Sequence, residues 1–180
     1  MADAISLDGK TTKGGEPGTR HWVSAGDDGF FRGLIDDIGT LVMGRKTYEV
    51  VHQRPRPDRL YVVLTHHPEN FAAEAVACRL EFITASPKQV VEDIAKRGFK
   101  TLLVVGGSVV NTAFLKAGLV DELYLTIEPR IFGAGKSLVE SVPLDISLRL
   151  RETRALNSHG TLLAHYAIDR NRLDDKRRTS

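Results

Sequence analysis

Cysteine is almost absent from this chain. Cys78 is the only one in 180 residues, so no intramolecular disulfide framework can form. It follows the apolar residues Ala75, Val76 and Ala77, which predicts a buried thiol with no neighbouring base to activate it. A surplus of charge is missing as well. Lys and Arg number 25 against 23 Asp and Glu, and residues 169–180 hold five of these cations against three Asp, so the rest of the chain is neutral. That excludes the clustered positive face a nucleic-acid binder needs. No uninterrupted apolar stretch reaches membrane-spanning length, and the amino end lacks the zones of a secretory leader. The expectation is a cytoplasmic protein without nucleic-acid or membrane partners. The six histidines form no ligand spacing, with His66 and His67 simply adjacent, so no metal site is expected. Neither a spaced-glycine dinucleotide fingerprint nor a Walker motif occurs.

What is present is a 42% hydrophobic composition, enough for one good core. The reading is a single domain over residues 1–168 and a charged tail over 169–180. Apolar runs of strand length alternate with helical periods, the pattern of an α/β domain with parallel crossovers. Strands are predicted at 2–6, 41–43, 60–64, 80–83, 102–105 and 122–128. Two more, at 148–156 and 161–168, flank the turn Asn157, Ser158, His159, Gly160 as an antiparallel hairpin, which makes the sheet mixed. Ser24 with Asp27 three residues on matches a capping box, and Phe30, Phe31, Leu34, Ile35 and Ile38 follow at helical spacing. Ser86 and Pro87 open a second helix. A third begins after Gly107, with Val109, Ala113 and Phe114 as its buried positions, and stops at Gly118. The aperiodic stretch 8–23 is long for so economical a domain, and such loops are more often functional than idle.

Two strand-to-helix junctions carry candidate chemistry. Gly44, Arg45, Lys46 and Thr47 place helix-start amides beside two cations and a hydroxyl, and Gly106, Gly107 and Ser108 form a second such corner. Amides at a helix start attract phosphate oxygens, and both junctions lie at carboxyl ends of strands, where open α/β sheets bind ligands. Either alone reads more readily as an ordinary turn. Together they suggest a dinucleotide.

The run Ala4, Ile5, Ser6, Leu7, Asp8, Gly9, Lys10 resembles the first strand and turn shared by dihydrofolate reductases and the riboflavin-biosynthesis reductases. Trp22, Asp27 with Phe31, Met43 to Glu49, Arg54, Pro55, Pro57, Arg59 and Tyr61 to Thr65 follow in the dihydrofolate reductase order. Val105 to Gly107, Phe114, Leu115 and Leu123 to Thr126 complete a resemblance over residues 4–168. Leu119 to Glu122 and the segment 129–135 are shared with the riboflavin branch. The resemblance implies a dihydrofolate-reductase-like fold: a mixed, mostly parallel sheet flanked by helices. It further implies NADPH-dependent reduction of dihydrofolate to tetrahydrofolate. The alternatives are a riboflavin-type reductase of a ribosylaminopyrimidine phosphate and a non-catalytic NADP(H)-binding module.

By the same resemblance Asp27, Thr126 and Trp22 would be catalytic, Asp27 gripping paired N–H donors of the substrate, with Asp28 as its neighbouring alternative. Ile5, Phe31 and Arg59 would bind substrate, Arg59 through a carboxylate. Gly44, Arg45, Lys46, Thr47, Thr65, His66, Gly106, Gly107 and Ser108 would bind NADPH, and residues 10–22 would be a mobile lid. Asp3 in an apolar strand and Asn111, where a tyrosine is usual, depart from the pattern. A small molecule is the expected partner, and a homodimer is left open.

Overall fold

The computed structural model describes residues 1–19 and 21–170, so most of the expected tail, from residue 171 on, lies outside the described residues. In chain order the elements are β1 (Ala2–Ser6), α1 (Ala25–Ile38), β2 (Thr40–Gly44), α2 (Arg45–Val51), β3 (Leu60–Leu64), a 3₁₀ turn (Pro68–Phe71), β4 (Leu80–Ile83), α3 (Pro87–Lys96), β5 (Leu103–Val104), α4 (Ser108–Lys116), β6 (Glu122–Glu128), β7 (Leu148–Ala155) and β8 (Leu162–Ile168).

Helix α3 starts as its sequence dictates. The Ser86 hydroxyl accepts from the Gln89 amide, and the Gln89 side chain accepts from the Ser86 amide at 2.8 Å. Helix α1 ends on Gly39 at φ 69°, whose N–H donates to the Ile35 carbonyl, a left-handed cap that glycine adopts without a side-chain clash. Its start differs from the predicted capping box. Ser24 does accept from the Asp27 amide at 3.3 Å, but the Ser24 amide donates to Glu128 Oε1 at 2.7 Å. Glu128 takes the reciprocal role, and the Asp27 carboxylate is released for other work.

The strands form two four-stranded sheets instead of the expected single one. One is all parallel in the order β4-β3-β2-β5; the other runs β1-β6-β8-β7, with β1 parallel to β6 and β8 antiparallel to both β6 and β7. β5 is only two residues long, too short to carry a ladder across to β1. Central strands β2 and β3 are buried on both faces, which is why they read as unbroken apolar runs. Val42, Val62 and Val104 face Val90 and Ile94 of α3 and Val110 and Phe114 of α4, whereas Leu41, Met43, Tyr61 and Val63 face Ile35 of α1 and Tyr48 of α2. Helices therefore cover both faces of the parallel sheet.

Two burial expectations fail. Val109 is 67% exposed, because α4 turns Val110 and Asn111 inward instead, while Phe114 is buried as expected. Cys78 is exposed at φ 61°, on the tight turn closed by the Val76–Leu80 bridge ahead of β4. No helix among the described residues is long and apolar enough to cross a membrane.

Candidate active site

The carboxyl ends of β2, β3, β4 and β5 open into one cleft of about 1030 Å³, whose far wall is Ala2, Asp3 and Ala4 of β1. It lies where the two sheets meet, the place a change of strand order leaves for ligands. Asp27, Phe31, Gly44, Arg45, Lys46, Thr47, Thr65, His66, Gly106, Gly107 and Ser108 all line it. The two glycine junctions touch: the Gly44 amide donates to the Gly106 carbonyl at 2.9 Å. A Cβ on Gly107 would sit 3.3 Å from Thr47 Oγ1, and one on Gly44 would sit 3.2 Å from a Val110 methyl. The start of α4 carries no side-chain cap, so its amides are open to a ligand, and anionic groups favour such a place. The Ser108 hydroxyl is turned away, donating to Glu140. Arg45 is braced by Glu49 at 2.5 Å. These corners fit the phosphates of a dinucleotide, which backbone amides, Lys46 and Thr47 could hold.

At the other end Asp27 projects from the first turn of α1 and is only 6% exposed. The Thr126 hydroxyl, from β6, donates to its Oδ1. Burial raises the carboxyl to about 6, the hydrogen bond from Thr126 opposes the rise, and the charges of Glu128 and Asp28 add to it. Asp28 points to solvent and pairs with Arg32 at 2.7 Å, so Asp27 is the carboxylate that meets the cleft.

Four predicted site residues lie off the cleft wall. Thr126 acts through Asp27. Ile5 packs against the α4-side core. Trp22 is 3% exposed, edge-on to Phe132 at 5.1 Å, with its indole N–H on the Gly18 carbonyl. Arg59 is drawn into an ion pair with Asp36 of α1 and a weaker one with Asp58, so it is committed to holding α1 and is absent from the substrate cavity.

The predicted lid does roof the cleft through Thr11, Thr12 and residues 14–19, but it is stitched down. The Thr11 amide donates to Lys136 O at 2.8 Å, the Gly14 amide to Ala134 O at 2.9 Å and the Lys136 amide to Thr12 Oγ1 at 2.8 Å. Asp8 accepts from the Gly133 and Phe132 amides, which with the Ser6 hydroxyl hold its carboxyl down at about 2. Gly135, at φ 141°, lets the Thr12 carbonyl approach to where a Cβ would be 1.9 Å away.

Sequence reasoning took Asp3 for an intrusion, yet it lines the cleft. Asn111 Nδ2 donates to its Oδ2 at 3.0 Å and to Leu138 O at 3.0 Å. Burial raises the Asp3 carboxyl to about 6, against the hydrogen bonds from Asn111 and the Ala4 amide and with the Asp27 charge adding to the rise. A polar side chain on the inward face of a period-two strand was the available signal.

A family model described as the RibD C-terminal domain matches residues 1–162. The chain belongs to the RibD C-terminal domain family. The uncharacterized protein YyaP of Bacillus subtilis (strain 168) is 27% identical over 165 residues, covering 86% of this chain and 87% of YyaP. Among solved structures, a pyrimidine reductase-like protein from Corynebacterium diphtheriae superposes with a TM-score of 0.79 at 16% identity, over 94% of this chain and 91% of that one. The diaminohydroxyphosphoribosylaminopyrimidine deaminase/5-amino-6-(5-phosphoribosylamino)uracil reductase of Thermotoga maritima gives 0.72 at 16% identity, over 93% of this chain and 55% of that one. The dihydrofolate-reductase-like α/β fold is thus confirmed, and membership falls on the riboflavin side of the resemblance, where the sequence motifs favour folate. The motifs that suggested folate are the phosphate corners and the Asp27–Thr126 pair, which suit any nitrogen ring reduced by the same cofactor. The motif particular to folate, Arg59, is the one that folds out of reach.

Proposed function

We propose that the protein is an NADPH-dependent reductase of an amino-substituted pyrimidine bearing a sugar on nitrogen, and that it reduces the C=N bond of the opened ribosylamine. Family membership supports a reductase of the pyrimidine type. The observation that carries the reading is that one cleft joins both anion-binding corners to the Asp27–Thr126 pair, with room for a dinucleotide and a small ring. Bound NADPH would supply the hydride.

The chain's own groups do the rest. The amides opening α4, with Lys46 and Thr47, hold phosphate oxygens. Phe31, Ile35, Leu41 and Met43 give that end of the cleft an apolar wall that keeps water from the reacting carbon. Asp27, oriented by Thr126, accepts ring N–H donors. Because its carboxyl is raised to about 6, it can hold a proton close to neutral pH, when the substrate nitrogen needs one.

Dihydrofolate shares the demand on Asp27 but adds a carboxylate that wants a cation, and Arg59 is engaged with Asp36. The test is consumption of reduced nicotinamide with each substrate in turn: a ribosylaminopyrimidine, with and without its phosphate, and dihydrofolate. Turnover of the pyrimidine is expected. Turnover of dihydrofolate alone restores the folate reading, and nucleotide binding without any turnover leaves a binding module.

A further inference from the structure

Asp3 is a half-buried carboxylate on the cleft wall, and among the described residues no cation is paired with it. Its hydrogen bonds come from neutral donors, the Asn111 amide of α4 and the Ala4 backbone, and the charge acting on it is another carboxylate, Asp27 of α1. Burying such a group is unfavourable unless something in the working state compensates it. Its position says what that is. Oδ2 lies 3.3 Å from where a Cβ on Gly106 would be, so Asp3 borders the phosphate corner on one side and feels the charge of Asp27 on the other. A cofactor with its phosphates at Gly106, Gly107 and Ser108 and its reacting ring toward Asp27 would pass beside Asp3.

We propose that Asp3 is the counter-charge to the positive charge that develops on the cofactor's ring as hydride leaves it. This rests on the NADPH reading above. Hydride takes two electrons and one hydrogen nucleus from a ring carbon to the substrate carbon, the substrate nitrogen gains a proton, and the ring is left cationic. A fixed carboxylate beside that ring, in a site of low dielectric, favours the charge as it forms without reorganising. It also favours bound NADP⁺ over bound NADPH, which can be measured with no turnover at all.

The experiment is calorimetric titration of NADP⁺ and of NADPH into the wild type and Asp3→Asn, with melting temperatures alongside. Asp3→Asn keeps the shape and, through its one remaining oxygen, the Asn111 contact, giving up the Ala4 amide while removing the charge. It should weaken NADP⁺ by about tenfold or more and NADPH by less than about threefold, a rise of at least about 15 mV in the bound couple. Equal weakening of both nucleotides, or a change in melting temperature with the ratio intact, would make Asp3 a structural tie between β1 and α4 and overturn the assignment. Wild type that binds neither nucleotide overturns the cofactor reading itself.

If Asp3→Asn does not fold, Asp27→Asn carries the test. The groups facing Asp3 are then the Asn111 amide and a neutral residue 27. The preference for NADP⁺ should fall as pH drops from about 8 to about 5, and a flat ratio sinks the idea. His66 and His67, on the wall beyond β3, and the cofactor's own phosphates act on both nucleotides alike.

Discussion

Burial raises the carboxyl of Asp27 to about 6, and the Thr126 hydroxyl brings it part of the way back. A folded-state value above the unfolded one near 4 means that the native state holds the proton more tightly. Its favourable contribution is complete below about pH 4 and is lost as pH climbs through about 6. Asp27→Asn should therefore melt higher than wild type at neutral pH, with the gap narrowing toward about pH 5; each tenfold difference in proton affinity between the folded and unfolded chain corresponds to about 1.4 kcal/mol. The same variant should lose turnover by about a hundredfold or more while still binding NADPH. Scanning calorimetry at two pH values and a rate measurement check both halves; a variant less stable at neutral pH would contradict the sign. Arg45, braced by Glu49 beside Lys46 and His66, argues for NADPH over NADH by about tenfold to a hundredfold. Arg45→Ala should erase most of that preference, and equal dissociation constants in the wild type would refute it. Asp27 was legible through the resemblance, which set it with Phe31 one helical turn on and with Thr126. Asp3 was not, since its meaning comes from Asn111, 108 residues later in the chain.

Elements announced by periodicity came out to the residue: β1, β3, β4 and β6 occupy the spans their alternation or apolar runs predict. β5 shortened from 102–105 to Leu103–Val104; only these two lie in register with β2, although the Val105 amide still donates to the Val42 carbonyl at 3.0 Å. α4 buries Phe114 as expected but turns its polar stripe of Ser108, Asn111 and Thr112 inward with Val110, because those side chains find partners in Glu140, Asp3 and Leu138 that lie far away in the sequence. Its anchor is Phe114, with no exposed surface, and Phe114→Ala should lower stability by about 3 to 5 kcal/mol in denaturant unfolding. The roof is the element whose nature was least legible. A Gly- and Thr-rich stretch without periodicity looks mobile until its partners at 130–137 are known. Gly135→Ala would force a Cβ onto the Thr12 carbonyl. It should loosen the roof and raise the Michaelis constants for both ligands more than it lowers global stability. Unchanged kinetics would show that the roof does not shape the site.

At the scale of the whole molecule, the strands and helices follow from composition and pattern, whereas the division of the strands into two sheets and the choice between two related chemistries do not. Both readings draw on the same glycine corners and the same acid at residue 27. The feature that separates them, Arg59, depends on where Asp36 lies across the fold. The pairing of β1 with β6 also bears on how the chain reaches its native state. Ala2 is in register with Tyr124 and Ser6 with Glu128, and the first turn at Asp8 is held by amides 124 and 125 residues further on. Such distant closures are entropically demanding and slow folding. On a ribosome, β2 to β5 can assemble while β1 waits, its edge unpaired, until residues 122–128 emerge. The cleft wall that carries Asp3 is therefore among the last parts completed, and a chain stalled before β6 would present an exposed strand edge open to association with other chains.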